Sequence, residues 1–400
     1  MSEWERVRLA EVVALDIEAV RVQATARYSI VGVLNRGRGL LFRKPIGGDD
    51  TSYQMLNCIR PDQIVYSRLK AFEGAITVAP KSLGEAYASQ EFPTFTCSER
   101  ILPEYFRLLT TTKRLWNQLQ ILSTGMGGRR ERVKPADFLT IEMGLPSLSE
   151  QRRIIDVIAT VDAQIEALSD ELSASQAALG PLISHLLSQG GAHWPLKRLD
   201  QVGTFIRGRR FTKADYVKSG LSAIHYGQIH TDLGLITTEA LTYLPCHFHE
   251  RMRLASKGDV VIAATSENVQ DLGNATVWLG DGDAAVHDDA NIFKHDLDPV
   301  FAGCLFFSPA FQQQKVQYAA GTKVTRISGN NLGKIEVPIP TDRGDQERIG
   351  GAVRTFASTT DSLNAEFSKL RALRSSILTS LLDQEIEIPE SYDALIERSS

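Results

Sequence analysis

Two short basic stretches hold the residues best suited to chemistry in this chain. One is NRGRGLLFRKPIGG, with Arg36, Arg38, Arg43 and Lys44, and the other is FIRGRRFTK, with Arg207, Arg209, Arg210 and Lys213. Glycine lets a backbone approach a phosphate closely, and an arginine fork binds phosphate or the edge of guanine bidentately. Two further loops repeat the mixture. STGMGGRRER carries Arg129 and Arg130, and AGTKVTRISGNN carries Thr322, Lys323 and Arg326. Each loop offers hydroxyls, glycines and at least two cations, a set that fits phosphate positioning and base-edge contact. One such loop reads as a solvated charged turn. The same type at two matching places reads as a binding device.

Amides and aromatics extend the set. Tyr226, Gln228 and His230 alternate in HYGQIH, and in a strand they would share one face. Glutamine can read adenine bidentately, and tyrosine or histidine can donate or stack. Thr265, Ser266, Glu267 and Asn268 form a similar polar group after a strand-like run.

Catalytic patterns are missing. No GxxxxGK followed by Ser or Thr occurs, no E-x-K, no Pro-Pro dipeptide, no GxSxG and no HExxH. Cys246, His247 and His249 in PCHFHE are too crowded to close a tetrahedron, so they read as a polar loop. His287, Asp288 and Asp289 read as a solvated turn. No metal site and no catalytic residue is expected, and binding is the default class.

The surrounding chain must position these loops. Its 400 residues suggest two to three domains, and 43% hydrophobic with 23% charged residues is the balance of a globular protein. No apolar run reaches the ~20 residues of a membrane helix. The charged start and four scattered cysteines fit an unexported protein of the reducing cytoplasm. The net charge of −4 hides an uneven distribution: residues 1–140 carry 20 Lys/Arg against 15 Asp/Glu, and residues 141–193 carry 2 against 7. A local basic groove stays compatible with an acidic whole.

The chain repeats itself at about 195 residues. Trp4, Arg8, Leu9 and Val12 return as Trp194, Arg198, Leu199 and Val202. DQIVY resembles GDVVI, GAITV resembles GNATV, and MGLPSLSEQRRI resembles VPIPTDRGDQERI, all in the same order. A four-three seam runs through Ile154, Ile158, Val161, Ile165, Leu168, Leu172, Leu179, Leu182 and Leu186, with Ser175 in its one gap. Its counterpart is Ile349, Val353, Phe356, Thr360, Leu363, Phe367, Leu370, Arg374, Ile377 and Leu381. Such a seam predicts long helices over about 150–188 and 345–384 that pack lengthwise on each other, with a kink at Gly180-Pro181. The organisation reads as α+β: a mixed module (1–145), a helical spacer (146–190), a second module (191–340), a second spacer (341–388) and a tail (389–400).

This order, with GDVVIA, HYGQI, AGTKVTRIS and IPTDRGDQERI, resembles the specificity subunit of type I restriction-modification enzymes over nearly the whole chain. That family's usual pattern runs AAGT…I…LP(L/I)P…EQ(R/K)RI. Gly321, Thr322, Ile327, Pro338, Pro340, Gln346, Arg348 and Ile349 match it, as do Pro146, Ser149, Glu150, Gln151, Arg152 and Ile154 in the first copy. The first copy departs with Asp62-Gln63 in place of Gly-Asp, and with GMGGRR in place of a GT-type loop. The resemblance implies two target-recognition domains in pseudo-twofold repeat, each reading half of a split, asymmetric sequence of double-stranded DNA. It implies two long helices packed as an antiparallel coiled coil that hold two adenine-N6 methyltransferase subunits, and restriction/translocase subunits that join them. S-adenosylmethionine, ATP and Mg would then serve the partner subunits, with no cofactor in this chain. The alternatives are a specificity protein of a related phage-defence methylation system, a coiled-coil adaptor without DNA binding, and a methyltransferase with a fused recognition domain, against which the absent motifs count.

Overall fold

The computed structural model describes residues 4–123, 132–189, 193–321 and 323–394. It divides into two compact units, Met1–Ala167 with Ser368–Ser400, and Leu168–Phe367. Each unit therefore includes one mixed module and a half of each long helix.

The first unit is built on an antiparallel sheet in the order Ile76–Val78, Ile64–Tyr66, Thr94–Cys97, Val13–Leu15. The run QIVY thus forms the central strand that its β-branched and aromatic residues favour, and Ile64, Val65 and Tyr66 are fully buried. A second antiparallel sheet runs Ala86–Ala88, Met55–Ile59, Glu18–Arg21. Helices Pro103–Thr110 and Lys113–Leu122 close the core, in which Tyr66, Phe95 and Phe138 pack ring to ring at 4.9–5.9 Å.

The second unit repeats the plan. Its main sheet runs Gly203–Arg207, Ala290–His295, Val260–Ala263, Ala275–Trp278, Ile236–Thr237, with only the last pair parallel. The second sheet runs Thr242–Leu244, Leu221–Ile224, Ala284–Val286, Leu254–Ala255. The repeat reaches individual bonds. Glu5–Arg8 pairs with Glu142–Leu145, and Leu196–Arg198 pairs with Glu336–Pro338. The Leu9 amide donates to the Ile141 carbonyl at 2.8 Å, and the Leu199 amide to that of Ile335 at 3.0 Å.

The long helices span Leu148–Ser188 and Arg343–Leu382. The first runs without a break through Pro181. In the first unit, Ile154 and Ile158 share a core with Leu378, Leu381 and Leu382, and Arg374 pairs with Asp162 (Nη2 to Oδ2, 2.8 Å). In the second unit, Ile183 and Leu187 share a core with Ile349 and Val353, and Ser175 faces Thr360. In each unit the residue numbers rise on one helix as they fall on the other, so the paired segments are antiparallel. Leu168 and Leu172 are buried, and Val161, Ile165, Phe356, Leu363, Phe367 and Leu370 are half-buried, as two helices covering one seam would leave them. Beyond Pro181 the buried positions are Ile183 and Leu187, while Leu182 and Leu186 are half-buried. There the helix rests on the module core as well, which widens its apolar stripe by one column.

Both helices are latched at their start by a glutamine. Gln151, fully buried, accepts the Leu102 amide (2.8 Å) and donates to the carbonyls of Arg100 (2.9 Å) and Pro146 (3.0 Å). Gln346 accepts the Asp298 amide (3.1 Å) and donates to the Pro340 carbonyl (3.1 Å). The glutamine of the repeated motif therefore ties helix to module in both copies.

Candidate nucleic-acid interface

In the first unit, Arg36 and Arg38 sit on the turn of a hairpin formed by Val31–Val33 and Leu40–Phe42. Arg36, Gly37 and Gly39 have φ of 61°, 64° and 95°, the left-handed backbone a tight turn requires. A Cβ at Gly37 would lie 2.4 Å from the Thr110 carbonyl oxygen, so only glycine fits. The Arg36 and Gly37 amides donate to the carbonyls of Glu73 (3.2 Å) and Gly74 (3.0 Å), which pins the turn to the body of the unit. Arg38 Nε donates to the Asn35 carbonyl at 3.0 Å. Arg43 and Lys44 follow on the strand and are exposed. None of these four cations has an ion-pair partner among the described residues. Two exposed aromatics that the motifs did not flag are Phe42 (64% exposed), at the end of the hairpin's second strand, and Tyr53 (53%), in the loop before Met55–Ile59. Phe42 directly precedes Arg43 and Lys44 in sequence, and that neighbourhood is the signal that could have found it.

In the second unit, two separate basic loops meet. Arg207 and Arg326 line one cleft of about 360 Å³, with Phe205, Thr265, Asp288, Asp289 and Asn291. Arg207 stands at the end of its strand, where Nε donates to the Asp288 carbonyl at 2.8 Å and Nη2 lies 3.5 Å from the Asp288 carboxylate. Arg326 is placed by a short antiparallel pair, Thr325–Arg326 with Thr265–Ser266. Gly321, at φ 114°, allows the preceding turn, since a Cβ there would meet the Val324 carbonyl at 2.1 Å. Arg326 and Lys323 are exposed.

The remaining residues are placed unequally. Arg210 and Lys213 are exposed. Arg209 donates from its guanidinium to the Arg251 carbonyl at 2.7 Å, so it also braces the loop. Arg129, Arg130 and Thr322 lie outside the described residues. HYGQIH differs from the strand expected of it: Tyr226–Thr231 is a helix. His225 Nδ1 accepts the Gly227 amide (3.1 Å) and Gln228 Oε1 accepts the His225 amide (2.9 Å), a reciprocal cap that nucleates the turn. Gln228 Nε2 lies 3.3 Å from Thr242 Oγ1, so this amide is used within the fold. Tyr226 is half-buried, its ring 4.6 Å from that of His225. Burial, and then the neighbouring His287, hold the His225 imidazole below its usual range.

The acidic turn is tied into the same region. Ligand-type atoms of His287, Asp288 and Asp289 fall within 4.8 Å of one another. His287 Nδ1 accepts the Asp289 amide at 3.2 Å, and Thr265 Oγ1 donates to Asp289 at 3.1 Å. The lone pair of that ring nitrogen is therefore already engaged. Cys246–Arg251 forms a short 3-10 helix in which His249 faces Asp283 at 3.5 Å.

No family model and no curated protein matches the sequence. Solved structures do. An S subunit of a type I restriction-modification system from M. genitalium aligns at 14% identity over 96% of this chain and 97% of its own, with a TM-score of 0.49. The HsdS subunit from Thermoanaerobacter tengcongensis aligns at 19% identity over 96% and 98%, with a TM-score of 0.47. A third, a chain from a structure of complex assembly and conformational transition in the type I restriction-modification system, aligns at 17% identity with a TM-score of 0.61. It is covered to 98%, and over 96% of its own length the present chain has that chain's fold.

Proposed function

We propose that this chain is the specificity subunit of a type I restriction-modification complex. Each module reads one half of a split, asymmetric site in double-stranded DNA, and the long helices dock two adenine methyltransferase subunits. Restriction/translocase subunits complete the assembly. The observation that carries this reading is the doubled module-and-helix plan, shared over 96% of the chain with a type I restriction-modification chain. The cations at 36–44 and 207–213 and Arg326 support it, being exposed. Methyl transfer and cleavage, with S-adenosylmethionine, ATP and Mg, then belong to the partner subunits, consistent with a sequence that lacks their motifs.

The test is co-expression with a type I adenine methyltransferase subunit, copurification, and genome-wide mapping of methylated adenines. A stable complex that methylates one bipartite sequence is the expected result. Copurification without methylation at a defined sequence, and without DNA retention on filters, would leave a protein adaptor.

A further inference from the structure

Asn291 lies at the floor of the cleft in the second unit. It sits on the strand Ala290–His295 directly opposite Arg207, so the two side chains leave the sheet on one face. Asn291 is only 3% exposed as a residue, and its side-chain amide opens onto the cleft with no protein hydrogen bond among the described residues. Asn57 of the first unit, equally buried, donates to the Phe92 carbonyl at 3.1 Å. Asn291 instead lines the open cleft. Gly329 keeps the space beside it free, since a Cβ there would stand 3.3 Å from Asn291 Oδ1.

The surroundings restrict what can pair with this amide. Asp288 and Asp289 line the same cleft, which disfavours a phosphate at its floor. Arg207 is partly neutralised by Asp288 at 3.5 Å, and Arg326 has no ion-pair partner among the described residues. The partner must present a donor and an acceptor side by side, and must offer the donor to an acceptor-rich wall. The major-groove edge of adenine does so through its N6 amino group and N7. The guanine edge offers two acceptors and no donor for Asn291 Oδ1, so it would satisfy only half of this amide.

We propose that this cleft is the base-reading pocket of the second unit and that Asn291 specifies an adenine there, with Arg207 and Arg326 on neighbouring phosphates. The proposal rests on the DNA-reading role given above. Loss of a bidentate base contact lowers discrimination by about five- to hundredfold.

The experiment uses the complete complex with methyltransferase subunits, once methylation mapping has defined its site. Wild-type complex is tested on duplexes in which each adenine in turn is replaced by 7-deazaadenine, and Asn291→Ala and Asn291→Asp complexes are mapped beside it. One adenine should prove sensitive to loss of N7. Asn291→Ala should relax that same position five- to hundredfold, and Asn291→Asp should shift it toward cytosine, whose N4 amino group suits a carboxylate. The other half-site should keep its bases. A wild-type complex that reads its site with no adenine sensitive to N7 overturns the proposal without any variant. So does an unchanged sequence preference in a folded Asn291→Ala complex, or competition by free ATP that Asn291→Ala abolishes, which would make the cleft a nucleotide site. A wild-type complex with no defined site removes the parent reading, a result distinct from all of these.

Discussion

Ser175 Oγ and Thr360 Oγ1 stand 2.6 Å apart in the paired helices of the second unit, a hydroxyl pair among mostly apolar seam residues. Thr360 also donates to the Phe356 carbonyl at 3.2 Å, so its hydroxyl is shared between its own helix and the partner. A single polar pair in such a seam opposes sliding, because a register shift buries both hydroxyls against hydrocarbon. Ser175→Ala and Thr360→Ala should each cost about 0.5–1.5 kcal/mol, and a double-mutant cycle on thermal unfolding should return a coupling of similar size. Additive losses would show that the contact carries no energy.

Gln151 holds three backbone groups, the Leu102 amide and the carbonyls of Arg100 and Pro146. Gln151→Leu keeps the bulk and removes all three bonds, at about 2–4 kcal/mol, measured as a fall in urea midpoint. Gln346→Leu removes two bonds and should cost less. Equal losses would refute this count of bonds as the origin of the effect.

Lys315 gives a pH signature. It is 2% exposed, with Nζ donating to the carbonyls of Gln270 (2.6 Å) and Leu272 (2.7 Å). Burial lowers its pKa to about 8, against an ordinary value of 10.5. The unfolded chain thus binds more protons than the folded one between these values, so this group's contribution to stability rises with pH across that window. It is least favourable below about pH 8, where both states carry the charge. Lys315→Met should flatten the rise, which amounts to about 3 kcal/mol over the full window. Urea titrations of both proteins between pH 8 and 10 provide the difference, and parallel curves would count against a depressed Lys315.

The free cations predict a salt effect. Arg210→Ala or Arg43→Ala should weaken binding of the assembled complex to all sequences alike and lower the slope of log K against log salt by about one unit each. Arg209→Ala should also lower the melting temperature, because its guanidinium braces the Arg251 carbonyl. A sequence-selective loss for Arg210→Ala would move that residue from phosphate to base contact.

The repeat, the two long helices and the seam were legible because each rests on a period or a motif that local physics enforces. Ile154, Ile158, Ile349 and Val353 are buried as the spacing requires. Asp62-Gln63 shows how a departure from the repeated motif is absorbed. Asp62 adopts φ 61° where Gly258 has 101°, a conformation aspartate tolerates better than most residues. Gln63 Oε1 caps the Arg60 amide (2.9 Å) as Asp259 caps that of Ser256 (2.7 Å). The helix at Tyr226–Thr231 was not legible, because six residues are too few to show a period and its cap uses histidine and glutamine. Nor was the cleft. Arg207 and Arg326 lie far apart in sequence, and only the sheet edge at Thr265–Ser266 brings them together. The missing partner of Asn291 is a fact of three dimensions alone.

The first unit takes its last core residues, Leu378, Leu381 and Leu382, from a segment made after the whole of the second unit. Synthesis therefore sets an order of events. Residues 168–367 form a continuous stretch that can close while the ribosome is still at work, whereas the first module must wait with Ile154 and Ile158 uncovered. The long loop so closed makes this the slow step of folding. It is also the interval in which a chaperone, or the edge of another nascent chain, would find this protein's apolar surface.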